Sequence, residues 1–194
     1  MSKFGMLSAA AIVGLMAGAA AMAQESVTVL GPSQFETCSQ AAAAAQRTGH
    51  VGVTDIDTCS QAIGHSWSTV GETATAFVNR GTLHLVRGEN DKAINDFSQA
   101  INADPALAAA YNDRGVALSA AHRSADAIRD FSQALALKAD NADQVVFNRA
   151  IAYEDAGDLK RAYIDYRKAA ELNPGWDLPA RQLARFNVKS SPVG

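Results

Sequence analysis

The amino-acid sequence predicts an all-α fold, a solenoid of stacked helix hairpins followed by a C-terminal capping helix. First, the residues DFSQA occur at 96–100 and again at 130–134, an interval of 34 residues. Second, the similarity extends into three longer copies, at 77–105, 111–139 and 146–174. Third, each copy contains two segments of helical hydrophobic spacing separated by a turn. Paired helices repeated at this interval are typical of stacked-hairpin architectures.

The second helix of each copy places a small residue on either side of an aromatic residue. Small side chains allow two helices to approach closely, and the aromatic ring fills the space between them. Pro105 and Pro174 end this helix in the first and third copies, because proline cannot continue a helix. The small–aromatic–small sets are Ala93, Phe97 and Ala100; Ala127, Phe131 and Ala134; and Ala162, Tyr166 and Ala169.

This order of residues resembles the tetratricopeptide-repeat (TPR) family, whose pattern also has an aromatic residue and a glycine in the first helix. The third copy departs from it with Val146 in place of the aromatic residue. The matching residues of the other copies are Phe77, Gly81, Tyr111 and Gly115. The resemblance implies a right-handed superhelical α-solenoid of TPR helix hairpins, with the first helices on the concave surface. The repeats are expected within 73–175, at about 74–107, 108–141 and 143–176.

Residues 1–23 have the composition of a signal peptide. Lys3 is followed by an uncharged run that ends in Ala21-Met22-Ala23, an A-x-A pattern that predicts cleavage before Gln24. An uncleaved membrane anchor is the alternative, because the run approaches the length of a bilayer span. Its alanine and glycine content favours export. The mature protein is therefore expected in the periplasm or outside the cell, without membrane insertion.

Residues 24–72 are expected to form a degenerate N-terminal hairpin. The segment IDTCSQAI at 56–63 aligns with INDFSQAI at 94–101 and places Cys59 at the position of the aromatic residue. Cys38 and Cys59 lie at similar distances from the intervening turn, so the hairpin favours a Cys38–Cys59 disulfide. Two buried thiols are the alternative.

Residues 176–188 are expected to form the capping helix, and 189–194 a flexible tail. Asp177 is predicted to be the N-cap of this helix. Leu183 and Phe186 are expected to cover the last repeat, since a terminal repeat has an apolar face without a neighbour.

Composition and motifs favour protein binding over catalysis. The net charge is −3 without a cluster of Lys or Arg, which argues against nucleic-acid binding. None of the four histidines has a second histidine or a cysteine at i+3 or i+4. The cysteines lack C-x-x-C spacing, and no phosphate-binding loop is present. We therefore expect no enzyme activity, no catalytic residues, no metal site and no cofactor.

An arginine and an aspartate recur on opposite sides of the turn in every copy. An ion pair between the two helices of a hairpin is one interpretation, and its recurrence in all copies favours a structural role. The alternative is that the arginines contact an acidic ligand. The pairs are Arg80 and Asp96, Arg114 and Asp130, and Arg149 and Asp165.

The resemblance also implies a ligand-binding groove on the first helices. Asn79, Asp113 and Asn148 would form a polar column for an extended peptide backbone, above an apolar floor that includes Phe147. An ordinary solvated face is the alternative. No cation occupies the positions where chaperone-binding members hold a C-terminal carboxylate, so that role is not expected. The groove positions are Val78, Asn79, Thr82 and Leu85; Asn112, Asp113, Val116 and Ser119; and Phe147, Asn148, Ile151 and Glu154.

The function predicted from these features is that of a non-catalytic protein–protein interaction module. It would be an adaptor in the cell envelope that binds a peptide or protein segment on the concave face. A structural or self-associating protein that uses its edge or convex surface is the alternative. A third interpretation, an enzyme with a site built across repeats, would require a pocket with converging ionisable groups.

Overall fold

The computed structural model describes residues 33–64 and 68–186, which form nine α-helices and no β-strand. The predicted signal peptide and tail lie outside the described residues. In the part that is described, no helix combines the length and apolar character needed to cross a bilayer. The helices are α1 (Gln34–Thr48), α2 (Asp55–Ile63), α3 (Val70–Val86), α4 (Asn90–Ala103), α5 (Ala108–Ala120), α6 (Ser124–Ala136), α7 (Ala142–Asp155), α8 (Leu159–Leu172) and α9 (Asp177–Leu183).

The helices pair into hairpin 1 (α1–α2), hairpin 2 (α3–α4), hairpin 3 (α5–α6) and hairpin 4 (α7–α8). The hairpins stack in chain order, which confirms the all-α helical-repeat solenoid. Each first helix contacts the next first helix, and each second helix packs against the helix that follows it. The second helices make few or no contacts with one another across the described ranges. The first helices α1, α3, α5 and α7 therefore form the inner layer of the stack.

A glycine of the first helix meets an aromatic ring of the second helix in hairpins 2 and 3. A Cβ on Gly81 would lie 2.8 Å from the Phe97 ring, and a Cβ on Gly115 would lie 2.7 Å from the Phe131 ring. Since packed carbon atoms sit at about 3.5–4.0 Å, these positions have no room for a side chain. The glycines thus set how closely the two helices approach.

Hairpin 1 has a disulfide where the later hairpins have a buried ring. Cys38 on α1 and Cys59 on α2 are bonded, with their Cα atoms 4.8 Å apart, and both residues are buried. The rest of the buried core between these helices is alanine, at Ala42, Ala45 and Ala62. Alanine side chains bury little apolar area, so a covalent link contributes stability that packing alone would not provide.

Each repeated arginine joins two consecutive hairpins. In hairpin 3, Arg114 Nε and Nη2 donate to the two carboxylate oxygens of Asp130 on α6, at 2.7 and 2.8 Å. Arg114 Nη1 donates to Ser98 Oγ on α4 of the preceding hairpin, at 3.1 Å. DFSQA therefore recurs because both of its polar side chains bind an arginine. Its aspartate binds the arginine of its own hairpin, and its serine binds the arginine of the next hairpin. The equivalent Arg–Asp–Ser links are Arg80 with Asp96 and Ser60, and Arg149 with Asp165 and Ser132.

An aromatic ring lies beside the guanidinium of every Arg–Asp–Ser link, at a distance that allows cation–π attraction. The third copy lacks the leading aromatic residue, and Tyr153 supplies the ring from a later position of the same helix. The guanidinium carbon lies 5.6 Å from the ring centroid for Arg80 and Phe77, 5.7 Å for Arg114 and Tyr111, and 5.9 Å for Arg149 and Tyr153.

α3 begins at Val70, inside the range predicted for the N-terminal hairpin. Thr69 and Glu72 form a capping box at this end: Thr69 Oγ1 accepts a hydrogen bond from the Glu72 N–H at 3.1 Å. The Thr69 N–H donates in turn to the Glu72 carboxylate at 2.9 Å. Because these bonds satisfy N–H groups of the first turn, the helix extends four residues upstream of the repeat pattern.

The C-terminal helix is shorter than predicted. α9 ends at Leu183, and its N-cap is Trp176 rather than Asp177, whose carboxylate pairs instead with Arg181 one turn along the helix. After Leu183 the chain continues with hydrogen bonds of i+3 spacing, which end the α-helix. Leu183 and Phe186 pack against the core of hairpin 4, as predicted.

Replacing Gly115 with alanine should lower the free energy of unfolding by about 1–3 kcal/mol, because the added methyl group would overlap the Phe131 ring. Urea unfolding of the purified protein measures this change. Gly71→Ala is the matched control, since a Cβ on this helical glycine meets no atom within 4 Å. It should be neutral or stabilising, by up to about 1 kcal/mol. Equal losses from the two substitutions would contradict the close helix approach.

Candidate functional site

The twelve predicted groove residues lie on α3, α5 and α7, the inner layer of the stack. None of them has the exposure of a freely solvated side chain. Thr82 Oγ1, for example, donates to the backbone of its own helix at 2.9 Å. Thr82, Asn112 and Phe147 are buried, and the partly buried ones are Val78, Asn79, Leu85, Asp113, Val116, Ser119, Asn148, Ile151 and Glu154.

The apolar members of this set pack against the hairpin cores. Phe147 is only 8% exposed, and its ring centroid lies 4.7 Å from that of Trp176 and 5.4 Å from that of Tyr166. Phe147 therefore does not form a groove floor, because Trp176 and Tyr166 pack against its ring. The others remain partly buried at the edges of the cores: Val78, Leu85, Val116 and Ile151.

Two polar members bind other side chains of the stack. Asn79 Nδ2 donates to Ser39 Oγ on α1 at 2.9 Å, which joins hairpins 1 and 2. Glu154 accepts hydrogen bonds from the Tyr166 hydroxyl at 2.9 Å and from Arg185 Nη2 at 2.8 Å. Asn79 and Glu154 are therefore already engaged by residues that the sequence analysis did not assign to the groove.

The polar side chains of α5 lack a full set of partners. Asn112 is 8% exposed, and its Nδ2 donates to Asp113 Oδ1 at 3.0 Å. Asn112 Oδ1 is buried and has no hydrogen-bond donor among the described residues, and the same holds for Ser119 Oγ. Such atoms are rare because burying them unpaired costs about 1–3 kcal/mol. We call Asn112, Asp113 and Ser119 the acceptor cluster.

Burial also acts on the carboxyl group of this cluster. Desolvation raises the pKa of Asp113 from its ordinary value of 3.8 to about 6, and the hydrogen bond from Asn112 lowers it only in part. Within the described ranges, no charged side chain contributes to this shift of the Asp113 pKa. A partly buried carboxylate without a cation is costly for the free protein, and such groups occur more often at functional sites than elsewhere.

The arginines of α3, α5 and α7 are bound within the stack. α3, α5 and α7 contain no lysine, and their arginines are Arg80, Arg114 and Arg149. Each donates to an aspartate and a serine through its Arg–Asp–Ser link, and the aspartate raises the pKa of Arg80 and Arg114. His84 of α3 lies 2.6 Å from the Glu89 carboxylate. These contacts support the structural interpretation of the arginines over contact with an acidic ligand.

A pocket with several ionisable groups lies between hairpins 2 and 3, with a volume of about 230 Å³. Its charges are paired with one another: Arg114 with Asp130, and Arg123 and Arg129 with Asp126. Within residues 33–64 and 68–186, no group of three or more His, Cys, Asp or Glu side chains could hold a metal ion. This pocket therefore offers paired charges rather than a free acid, base or metal site.

Two family models match the chain, one described as TPR repeat over residues 74–120 and one as tetratricopeptide repeat over residues 144–176. The first match spans most of α3 together with α4 and α5, and the second spans most of α7 and α8. Residues 74–120 and 144–176 are tetratricopeptide repeats. The matches confirm the predicted TPR repeats, whereas the bounds of the three repeats stay a prediction.

Solved TPR structures share this fold. The first TPR of Spaghetti (RPAP3) bound to the HSP90 peptide SRMEEVD is 24% identical, with a TM-score of 0.56 over 59% of this chain and 90% of that one. The second TPR domain of human RPAP3, in complex with the HSP70 peptide SGPTIEEVD, is also 24% identical, with a TM-score of 0.57 over 60% and 96%. The crystal structure of MamA is 18% identical, with a TM-score of 0.59 over 95% and 100%. At these identities the likeness concerns the fold.

One curated relative also matches, NADPH oxidase activator 1 of Rattus norvegicus. It is 36% identical over 84 residues, which is 43% of this chain. The match covers only 17% of that protein's length. The similarity therefore concerns a segment of each protein rather than the whole proteins.

Three residues that contact the predicted groove residues were not assigned from the sequence, namely Ser39, Trp176 and Arg185. Ser39 lies in TCSQ at 37–40, and the recurrence of this motif at 58–61 could have indicated its role. Trp176 and Arg185 follow the third copy, which ends at Pro174, and no periodic signal indicates what they contact.

Asp113→Asn should raise the free energy of unfolding at pH 7.5 by about 2–3 kcal/mol, because it removes the cost of a desolvated charge. The folded-state pKa is raised, so this cost is full above about pH 6 and falls as the pH drops towards 3.8. At pH 4 the benefit should be below about 1 kcal/mol. Urea unfolding at both pH values measures it.

Asp140→Asn is the control for this prediction, since Asp140 is exposed in the turn before α7. Asp140→Asn also removes one negative charge, but that charge is exposed to solvent and carries no desolvation cost. A pH-independent benefit from Asp113→Asn, or an equal benefit from Asp140→Asn, would contradict the account of Asp113.

Proposed function

We propose that the chain is a non-catalytic protein–protein interaction module that binds a peptide or protein segment on the inner face of its TPR hairpins. The observation that carries the proposal is the acceptor cluster on α5. Asn112 Oδ1 and Ser119 Oγ of this cluster are buried without a hydrogen-bond partner among the described residues, and a bound segment would supply the missing hydrogen bonds. The complexes of the RPAP3 domains with HSP90 and HSP70 peptides support the proposal, because they contain the same fold with a bound peptide.

The expected ligand differs from the peptides in those complexes. SRMEEVD and SGPTIEEVD both end in acidic residues. The inner layer of this chain presents Asp113, and the arginines of the same helices are bound to aspartates. Like charges facing each other disfavour binding, so an acidic C-terminal tail is a poor match for this face.

We further propose that the protein acts as an adaptor in the cell envelope, after export and removal of residues 1–23. Two features support this location. The first residues have the pattern of a signal peptide, and the disulfide between Cys38 and Cys59 is a type of bond that persists mainly in oxidising compartments.

Photo-crosslinking in the native host tests both parts of the proposal. A photoreactive amino acid replaces Asn148, whose partly buried side chain makes no hydrogen bond to a described residue. We expect a specific protein partner to be captured from this position in the exported fraction. Mass spectrometry of the same samples should find a chain that begins at Gln24 and contains linked Cys38 and Cys59.

Gln133 is the matched control position, because it is exposed on the second helix α6. The same partners captured from both positions, or none from Asn148, would contradict binding at the inner face. Crosslinks only between copies of this chain would favour the self-associating alternative. A full-length, uncleaved chain in the cytoplasmic fraction would contradict the proposed location.

A further inference from the structure

We infer that the acceptor cluster selects a partner segment that carries a lysine or arginine, and that this cation binds between Asp113 and Asn112. The inference rests on the proposed function and names the chemistry that its site recognises. Two adjacent groups carry it, the Asp113 carboxylate and the Asn112 amide oxygen.

The two acceptors are held side by side on α5. Asn112 Nδ2 donates to Asp113 Oδ1 at 3.0 Å, so the amide group lies directly against the carboxylate. This bond leaves Asn112 Oδ1 buried without a donor among the residues that the structure covers. A guanidinium offers five N–H donors and an ammonium three, and either can reach two neighbouring acceptors at once. A single backbone N–H or hydroxyl would satisfy only one of them.

The charge of Asp113 distinguishes a cation from a neutral donor. A hydrogen bond from a neutral group would leave a partly buried negative charge uncompensated, whereas a cation compensates the charge and supplies the donors. Of the two carboxylates among the predicted groove residues, Glu154 is already paired with Arg185. Asp113 has no such partner in the described part of the chain, since the side chain that binds its carboxylate is the neutral Asn112.

The stack itself does not provide this cation. Arg114, on the same helix, donates to Asp130 and to Ser98. The arginines of α3 and α7 are held in the same way by their own aspartates. The hydrogen bonds that assemble the hairpins therefore leave Asp113 as a negative site that a partner can fill.

The neighbouring residues suit the stem of a long basic side chain. Val116 lies one turn from Asn112 and Asp113 on α5 and is partly buried. Lysine and arginine pack their methylene stems on apolar surface while the charged head remains with its acceptors. Ser119, one further turn along the helix, offers another unpaired hydroxyl to the segment. The cluster is thus a short stripe of acceptor, apolar and hydroxyl groups.

Titration of the mature protein with N-acetyl-L-arginine amide tests the inference directly. We expect it to shift the NMR signals of the Asn112 side-chain amide and the Val116 methyl groups, with a dissociation constant of the order of 1 mM. N-acetyl-L-citrulline amide has nearly the same shape without the charge, and it should bind at least about tenfold more weakly. Asp113→Asn should abolish the difference between the probes, and Asp140→Asn should preserve it.

Equal shifts from the two probes would overturn the inference, as would arginine binding that survives Asp113→Asn. A response centred on residues outside α5 would also count against it. Because Asp113→Asn is expected to stabilise the fold, a loss of binding in this variant would not be a loss of structure. Unfolding curves of both variants check this point.

The partner segment captured from Asn148 provides the second test. A synthetic peptide of that segment should contain a lysine or arginine whose replacement by glutamine weakens binding at least about tenfold, and only when Asp113 is present. A captured segment that binds equally well without its basic residues would overturn this inference and leave the proposed function standing. Failure to capture any partner would instead contradict the proposed function.

Discussion

The stack depends on one arginine in each TPR hairpin, which binds an aspartate of its own hairpin and a serine of the preceding one. The Arg114 side chain is 23% exposed and that of Asp130 is 10% exposed, so the ion pair is largely removed from water. Desolvating two charges costs several kcal/mol, and such a pair is favourable only with good geometry and additional hydrogen bonds. At Arg114, the bidentate contact with Asp130 has good geometry, Ser98 accepts an additional hydrogen bond, and the adjacent aromatic ring adds cation–π attraction. Because Nη1 of the arginine donates to the serine of the preceding hairpin, the arginine connects two hairpins as well as the two helices of its own hairpin.

This use of arginine has a consequence for binding. The arginines of α3, α5 and α7 bind aspartates, so they do not compensate the charge of Asp113 on the inner face. Asp113 is then a desolvated negative charge without a cationic partner among the residues that the structure describes. The free protein carries that cost, which a basic partner would remove. Stability and selectivity are therefore opposed at Asp113, as is common at binding sites.

The repeat pattern was sufficient to predict the helix hairpins, their order and the aromatic rings of Phe97 and Phe131 between closely packed helices. These features recur at a fixed interval, and each is decided by contacts within one hairpin or with its neighbour. The pattern could not predict that Trp176 and Tyr166 pack against Phe147 or that Arg185 binds Glu154. Trp176 and Arg185 follow the last copy of the sequence pattern at 146–174, and periodicity indicates which face a residue occupies but not which side chain contacts it.

Other features that were not predicted did have a signal in the amino-acid sequence. Thr69 and Glu72 have the T-x-x-E spacing of a capping box, which would have moved the start of α3 upstream. The serine of DFSQA recurs with the motif, but its hydrogen bond with the arginine of the next hairpin was not predicted. The orphaned oxygen of Asn112 had no signal in the sequence, because it depends on the full set of neighbours around one atom.

The coupling between hairpins is the central claim, and a double-mutant cycle between Ser98 and Arg114 measures it most directly. Ser98→Ala, Arg114→Met and the double variant are compared by urea unfolding, and the cost of an unpaired Asp130 cancels because it occurs in both Arg114 variants. We expect a coupling free energy of about 1–2 kcal/mol. The same cycle between Ser98 and Arg149, which share no hydrogen bond, should give a value near zero. Near-zero coupling for Ser98 and Arg114 would contradict the account.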